Sequence, residues 1–306
     1  MDGILLIDKP PGITSHDVVG QARKRLGMRR IGHTGTLDPM ATGLLILCLG
    51  RATRLASFIA REDKVYRGRI TLGVATDTYD ADGKVVSSSS IKSLSKASIQ
   101  KIARTLTGRI KQTPPPYSAK KVSGERSYNL ARKGQAPELK PVDVSVHSFK
   151  VTSLKKNCIY FEASVSAGTY IRSLAHDLGR ILGCGAHLSE LKRIVCGGFH
   201  LSDAHDLSIF KKSTNADLRR IVIPLSKISL RLPSIFLDED GATIFKRGNP
   251  VPESRCIRTI GTLDGKEVQV HSKEGRFLGI GLSSSISDKT SRLAVVQPKV
   301  VLSSHA

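Results

Sequence analysis

The chain has 306 residues, 40% hydrophobic but only 5% aromatic, enough for a sizeable and mostly aliphatic core in one large domain or a large one plus a small one. Its 48 Lys and Arg against 26 acids give a formal charge of +22, spread along the whole length, which points to an extended polyanion such as nucleic acid as partner. Five cysteines without C-x-x-C spacing argue against a disulfide framework or zinc knuckle, and the opening MDGILLIDKPPG is no signal peptide or membrane span, so a soluble cytoplasmic protein is expected.

Gly3 to Ile7 reads as a buried strand, stopped at Lys9-Pro10-Pro11-Gly12. A helix is expected from Ser15 or His16 to Leu26, with Val18, Val19, Ala22 and Leu26 on one face and Gly27 closing it. GHTGTLDPMATGLL, residues 32–45, is a turn around a single carboxylate, Asp38, followed by an apolar strand over 44–49 and a helix over 52–60. Tyr66 to Leu72 alternates like a strand, and TDTYDADG over 76–83 is a loop. Ser95 can cap a helix to Leu106, and a further helix is expected over 125–133. Strands follow over 142–154 and 160–166, then a helix over 169–182 ended by Gly183. Without regular strand–helix alternation, the order predicts an α+β fold with a mainly antiparallel sheet rather than a doubly wound one. Residues 203–230 read as a connector, and after Leu232 short Gly- and Pro-punctuated segments predict a small β-rich unit.

Cofactor chemistry finds little support. In TDTYDADG the spacing Asp80-x-Asp82-Gly83 matches part of a calcium loop, but Thr78 and Ser89 stand where its first and last ligands belong. There is no Walker A or G-x-G-x-x-G signature, and no pair of histidines four apart brackets an acid, so no nucleotide cofactor and no metal is expected. A lone Asp in a turn is ordinarily a cap or an Asx-turn. Around Asp38, however, Gly35 and Gly43 permit close backbone approach, and Pro39 restricts Asp38 to extended conformations. A carboxylate aimed in one direction suits nucleophilic catalysis.

GHTGTLDPMATGLL resembles the catalytic motif of the TruB family of pseudouridine synthases. Five more segments agree with that family in order and spacing: LLIDKPPGITSHDVV (5–19), KVYRG (64–68), TDTYDADG (76–83), QTPPPYSAKKVSGERSY (112–128) and GTYIRSLAHDLG (168–179). FKRGNPV and GRFLGIG resemble the RNA-binding PUA domain that follows. The resemblance implies a pseudouridine synthase domain over 1–228, with helices and loops flanking its sheet, and a PUA-like domain over 229–306. It implies an isomerase that converts the T-loop uridine of transfer RNA, position 55, without metal or cofactor. The expected catalytic residues are Asp38 as nucleophile, attacking uracil C6 or ribose C1′, Arg172 as its cationic partner, and Tyr66 stacked on the uracil and assisting proton loss. Tyr170 and Leu191 would contact the flipped base, Asp80 would orient its neighbours, and His33 would fill the gap that the base leaves. Lys9, Lys64, Arg67, Lys120, Lys121, Lys192 and Arg193 are candidates for phosphate contacts, each equally readable as part of a solvated face.

The segment ELKRIVCGGF, 190–199, departs from the family pattern, with Lys192 where Arg is common and Cys196 unusual, which bears on RNA contact rather than chemistry. The Ser-rich tail beyond Gly281 is also less characteristic. Two alternatives stand beside a monomeric, stand-alone, cytoplasmic enzyme acting on the T-arm with neither guide RNA nor membrane. One is a guide-dependent synthase within a protein–RNA particle. The other is a non-enzymatic RNA-binding or RNA-folding module, a role that could also be secondary to catalysis.

Overall fold

In a computed structural model, which describes residues 1–91, 93–118, 120–122, 125–127, 131, 139–263, 265–284 and 294–302, the first apolar run forms β1 (Gly3–Lys9). Helix α1 (Ser15–Leu26) follows. Its cap is Thr14, paired reciprocally with Asp17: Asp17 N donates to Thr14 Oγ1 at 3.1 Å and Thr14 N to Asp17 Oδ2 at 2.8 Å. With Thr14 as cap, Ser15 is free to face inward. β2 (Thr42–Leu49) pairs antiparallel with β1. Both strands are buried on both faces: Leu5, Ile7, Leu45 and Leu47 enter one hydrophobic cluster, Ile4, Leu6, Leu44 and Ile46 a second on the opposite side. That is why they read as continuous apolar runs rather than alternating ones.

The helix expected over 52–60 is instead a 3₁₀ turn, Gly50–Leu55, that runs into a short helix, Ala56–Ala60. Gly50 adopts φ 56°, and Thr53 Oγ1 donates to Gly50 O at 2.7 Å, which tightens the first turn. The chain continues through β3 (Lys64–Leu72), α2 (Lys96–Thr105), β4 (Gly108–Gln112), β5 (Val142–Lys155), β6 (Cys158–Val165), α3 (Ile171–Leu182) and β7 (Ala186–Cys196). The main path of the sheet runs from the short strand His205–Asp206 through β1, β2, β7, β3, β6 and β5 to β4. Its pairs are antiparallel except those of β1 with His205–Asp206 and of β2 with β7, so the sheet is mixed, with antiparallel pairing dominant as expected. β7 is the strand that the sequence pattern hides. Its apolar alternation is broken by two register shifts and by Arg193, a buried charge.

The parallel contact of β2 with β7 joins the two parts of the sheet, with Thr42 opposite Lys192 and Gly43 opposite Arg193. Gly43 has φ 96°, and a Cβ on it would lie 2.3 Å from Arg193 O, so the closing glycine of the Asp38 motif is what lets the strands meet.

A second sheet contains β8 (Ser234–Leu237), β9 (Cys256–Ile260), β10 (Glu267–Ser272), β11 (Phe277–Ser283) and β12 (Ala294–Val301), with the helix α4 (Glu239–Lys246) packed on it. This is the small β-rich unit expected after Leu232. Ile228, Leu230, Phe277, Ile280 and Leu302 share a cluster with Ile4, Leu6, Leu44 and Ile46, so the small sheet closes over the back of β1 and β2. The helix expected over 125–133 lies mostly outside the described residues; within its span Glu125–Arg126 pairs with Lys121–Val122 as a two-stranded ribbon. Among the described residues no helix is long and apolar enough to cross a membrane.

Candidate active site

The turn that carries Asp38 is pinned from several sides. The Ser15 hydroxyl accepts from Leu37 N at 2.9 Å and donates to Leu37 O at 3.3 Å. Gly12 N donates to Pro39 O at 2.9 Å, and Ala41 N to Asp38 O at 3.0 Å. Lys9, with no exposed surface, donates from Nζ to Pro10 O, Ile13 O and Pro39 O at 2.9, 2.8 and 3.2 Å. Burial lowers the Lys9 pKa to about 8, against the pull of Asp38 and Asp17.

Arg172 stands in the first turn of α3 and grips the carboxylate of Asp38 in two places: Nε to Oδ2 at 3.0 Å and Nη2 to Oδ1 at 3.1 Å. Its other contacts are Nη1 to Asp80 Oδ2 at 3.2 Å, Nη1 to Thr78 O at 3.2 Å and Nη2 to Tyr117 O at 3.0 Å. Three hydrogen bonds and two ion pairs thus engage all three guanidinium nitrogens and fix its direction. A cation at a helix N-terminus opposes the helix dipole, and the two carboxylates offset that cost. Asp80 is buried and held in turn by Thr78 Oγ1 at 2.5 Å and Asp82 N at 3.1 Å. The preceding residue, Tyr79, has φ 66°, a strained conformation held by stacking on His176 at 3.9 Å and by Leu188 N donating to Tyr79 O at 3.0 Å. Gln112, fully buried, fixes the start of α3 by taking Tyr170 N at 2.7 Å and giving to Tyr170 O at 3.1 Å.

Asp38 opens into a cavity of about 300 Å³ lined also by Tyr66, Tyr170, Arg172, Leu191 and Arg193. That volume lies at the small end for ligand sites and suits a single base more than a length of strand. The Asp38 side chain is one-third exposed. Burial raises its pKa above the ordinary carboxylate value; Arg172 opposes the rise, while Asp80 and Asp82 add to it. Tyr66, 7% exposed, projects from β3, and burial raises its phenol pKa. Tyr170 is likewise raised by burial. His33, one residue before the cavity lining begins at Thr34, accepts from Gly35 N at Nδ1 at 3.3 Å. Burial, with Arg193 and His16, lowers its pKa and favours the neutral ring.

Asp38, Tyr66, Tyr170, Arg172 and Leu191 therefore meet in one cavity, with Asp80 directly behind Arg172. The basic candidates divide. Lys9 and Lys64 are buried and committed to backbone carbonyls, Lys64 Nζ donating to Ala60 O and Glu62 O at 2.8 and 2.6 Å; Arg193, also buried, gives Nε to Leu44 O and Nη2 to Gly35 O at 2.8 and 3.1 Å. Arg67 and Lys192 are exposed and, among the described residues, carry only surface ion pairs, to Glu162 and Asp8. Lys120 Nζ donates to Lys140 O at 3.2 Å, and the side chain of Lys121 lies outside the described residues. Sequence reasoning passed over Ser15 and Gln112. Ser15 was readable only as a helix start, and Gln112 only as one letter of a longer motif, since neither has a chemical signature apart from its buried partner.

Residues 23–171 match the family model for the TruB family pseudouridylate synthase N-terminal domain, and residues 172–228 that for the tRNA pseudouridylate synthase B C-terminal domain. The chain is 44% identical to the tRNA pseudouridine synthase B of Solibacter usitatus over 83% of this chain and 87% of that protein. It is 40% identical to the protein of the same name from Aquifex aeolicus over 92% and 95%. Among solved structures it resembles a chain of a Cbf5-Nop10-Gar1 complex with a TM-score of 0.79 at 24% identity, over 98% of this chain and 85% of that one, a likeness of fold.

Proposed function

The chain belongs to the TruB family of tRNA pseudouridine synthases, isomerases that act on transfer RNA, and on that premise we propose that it converts one uridine of the T-loop, position 55, with Asp38 as nucleophile. The observation that carries this reading is the two-point grip of Arg172 on Asp38 at the mouth of a base-sized cavity. An arginine does not lose its proton in the working range, so it keeps available the charged form that burial disfavours.

The target nucleotide leaves the folded loop to reach that cavity, because its reacting atoms are inaccessible in the stack. The neutral His33 ring takes the vacated space. Uracil lies against Tyr66, bounded by Tyr170 and Leu191. Asp38 attacks uracil C6 or ribose C1′, the glycosidic bond breaks, uracil turns, and C5 bonds to C1′; the bond to Asp38 is released as C5 displaces it from C1′ or, after attack at C6, as C5 loses its proton. C5 then loses its proton and N1 gains one, so the product is an isomer. Asp80 keeps Arg172 aimed, and Lys9 holds the Asp38 turn from beneath. The catalytic region spans 1–228, and the C-terminal region over 229–306 extends the RNA-binding surface.

Relatives at 36–44% identity named tRNA pseudouridine synthase B support an enzyme acting on transfer RNA, and we read this one as working alone in the cytoplasm rather than under a guide. Unmodified transcripts of a T-arm, with no guide RNA, test this. Pseudouridine is expected at the single T-loop uridine, and other loop uridines are expected to stay unchanged. A requirement for a guide, or modification scattered over the loop, would contradict it.

A further inference from the structure

Arg193 is the most deeply buried cation of the cavity wall, 2% exposed. Unlike Arg172, it has no carboxylate within ion-pair distance among the described residues. Its Nε donates to Leu44 O and its Nη2 to Gly35 O, which leaves the rest of the guanidinium fork to the cavity. A buried charge with no counter-charge is costly, and a site that tolerates it is built for negative charge arising nearby. The register names the neighbour: Arg193 in β7 lies directly opposite Tyr66 in β3, so both side chains leave the sheet on the same face, and both line the cavity.

We propose that Arg193 is a positioning residue for Tyr66, holding the phenol oxygen in place and stabilising the phenolate that takes the proton from uracil C5. This rests on the reading of Tyr66 given above. In that step the C5–H bond breaks and its electron pair becomes the C5=C6 double bond, as N1 takes up a proton or, after attack at C6, as the Asp38 carboxylate leaves C6. The phenolate oxygen receives the C5 proton, and the phenol so formed returns it to water.

The groups that act on Tyr66 are few. Arg193 draws the phenol pKa down against burial, while Cys196 on β7 and Asp38 in its turn push it up. Arg172 is matched by Asp38 and Asp80, and Lys64 is turned to backbone carbonyls. Arg193 is thus the group that offsets burial and favours the phenolate form of Tyr66. Each unit by which its loss raises the phenol pKa cuts the phenolate fraction about tenfold.

The test compares wild type with Arg193→Gln, Arg193→Lys and Tyr66→Phe on T-arm RNAs carrying uridine, [5-²H]uridine or 5-fluorouridine at the target. Fluorine cannot leave C5 as a proton, so C-glycoside formation from 5-fluorouridine reports every step except proton loss and also reports whether each variant is folded. Arg193→Gln is expected to slow uridine conversion about tenfold or more. It is also expected to raise the deuterium isotope effect, move the rate to higher pH, and leave the 5-fluorouridine rate near wild type, with Arg193→Lys between. Equal slowing on uridine and 5-fluorouridine in either Arg193 variant, without an isotope effect, would overturn the inference in favour of a phosphate contact or a structural role. No slowing by Arg193→Gln would overturn it as well. Wild-type uridine conversion by Tyr66→Phe would instead overturn the reading of Tyr66.

Discussion

Asp38 is asked to work as a carboxylate where burial favours the acid. The active form is the deprotonated one, so kcat/KM falls as pH drops through the pKa of the free enzyme. Because that pKa is raised above 3.8, the acid limb is expected above 3.8 in a pH–rate profile. Arg172 opposes the rise, so Arg172→Met should move the limb further up and lower kcat by about a hundredfold or more. A limb at or below 3.8 would mean that Arg172 outweighs burial. Lys9 acts on the same turn from below. Lys9→Met takes the Lys9 donor from Pro10 O and Ile13 O and leaves Pro39 O with Gly12 N alone, and a loss of about 2–4 kcal/mol is expected in chemical denaturation. A change under about 1 kcal/mol would show that water or local movement satisfies them.

At the level of elements, the fold depends on the meeting of β2 and β7. Gly43→Ala would place a methyl 2.3 Å from Arg193 O on a backbone with φ 96°, and a loss on the order of 3 kcal/mol or more is expected in urea unfolding. A nearly neutral result would mean that the strands separate at little cost. β1, α1 and β2 were legible in sequence because apolar runs and punctuating Gly and Pro have local causes. The Asp38 turn was legible as stiff for the same reason. β7 was not, because its alternation is broken by bulges and by a buried arginine whose partners lie on other strands. The meeting of Asp38 with Arg172, 134 positions away, came from family resemblance rather than from the local pattern. No periodicity encodes it, and the clamp of Gln112 on Tyr170 is hidden for the same reason.

Over the whole molecule, an excess of 22 positive charges, with Arg67 and Lys192 exposed on adjacent strands, suits a phosphate backbone. RNA affinity should then fall steeply with salt, by about a hundredfold or more between 50 and 200 mM, measured by filter binding. A flat dependence would contradict a binding mode dominated by phosphates. The second hydrophobic cluster unites the small sheet with β1 and β2, the strands that flank the Asp38 turn, so the two units support one another rather than hang on a linker. The central claim is that one carboxylate, aimed by Arg172, performs the attack. Single-turnover assays of a guide-free T-arm transcript with wild type and Asp38→Asn test it most directly. The wild type should form pseudouridine, while Asp38→Asn should bind the RNA and form none; product from Asp38→Asn at a rate near wild type would contradict the mechanism.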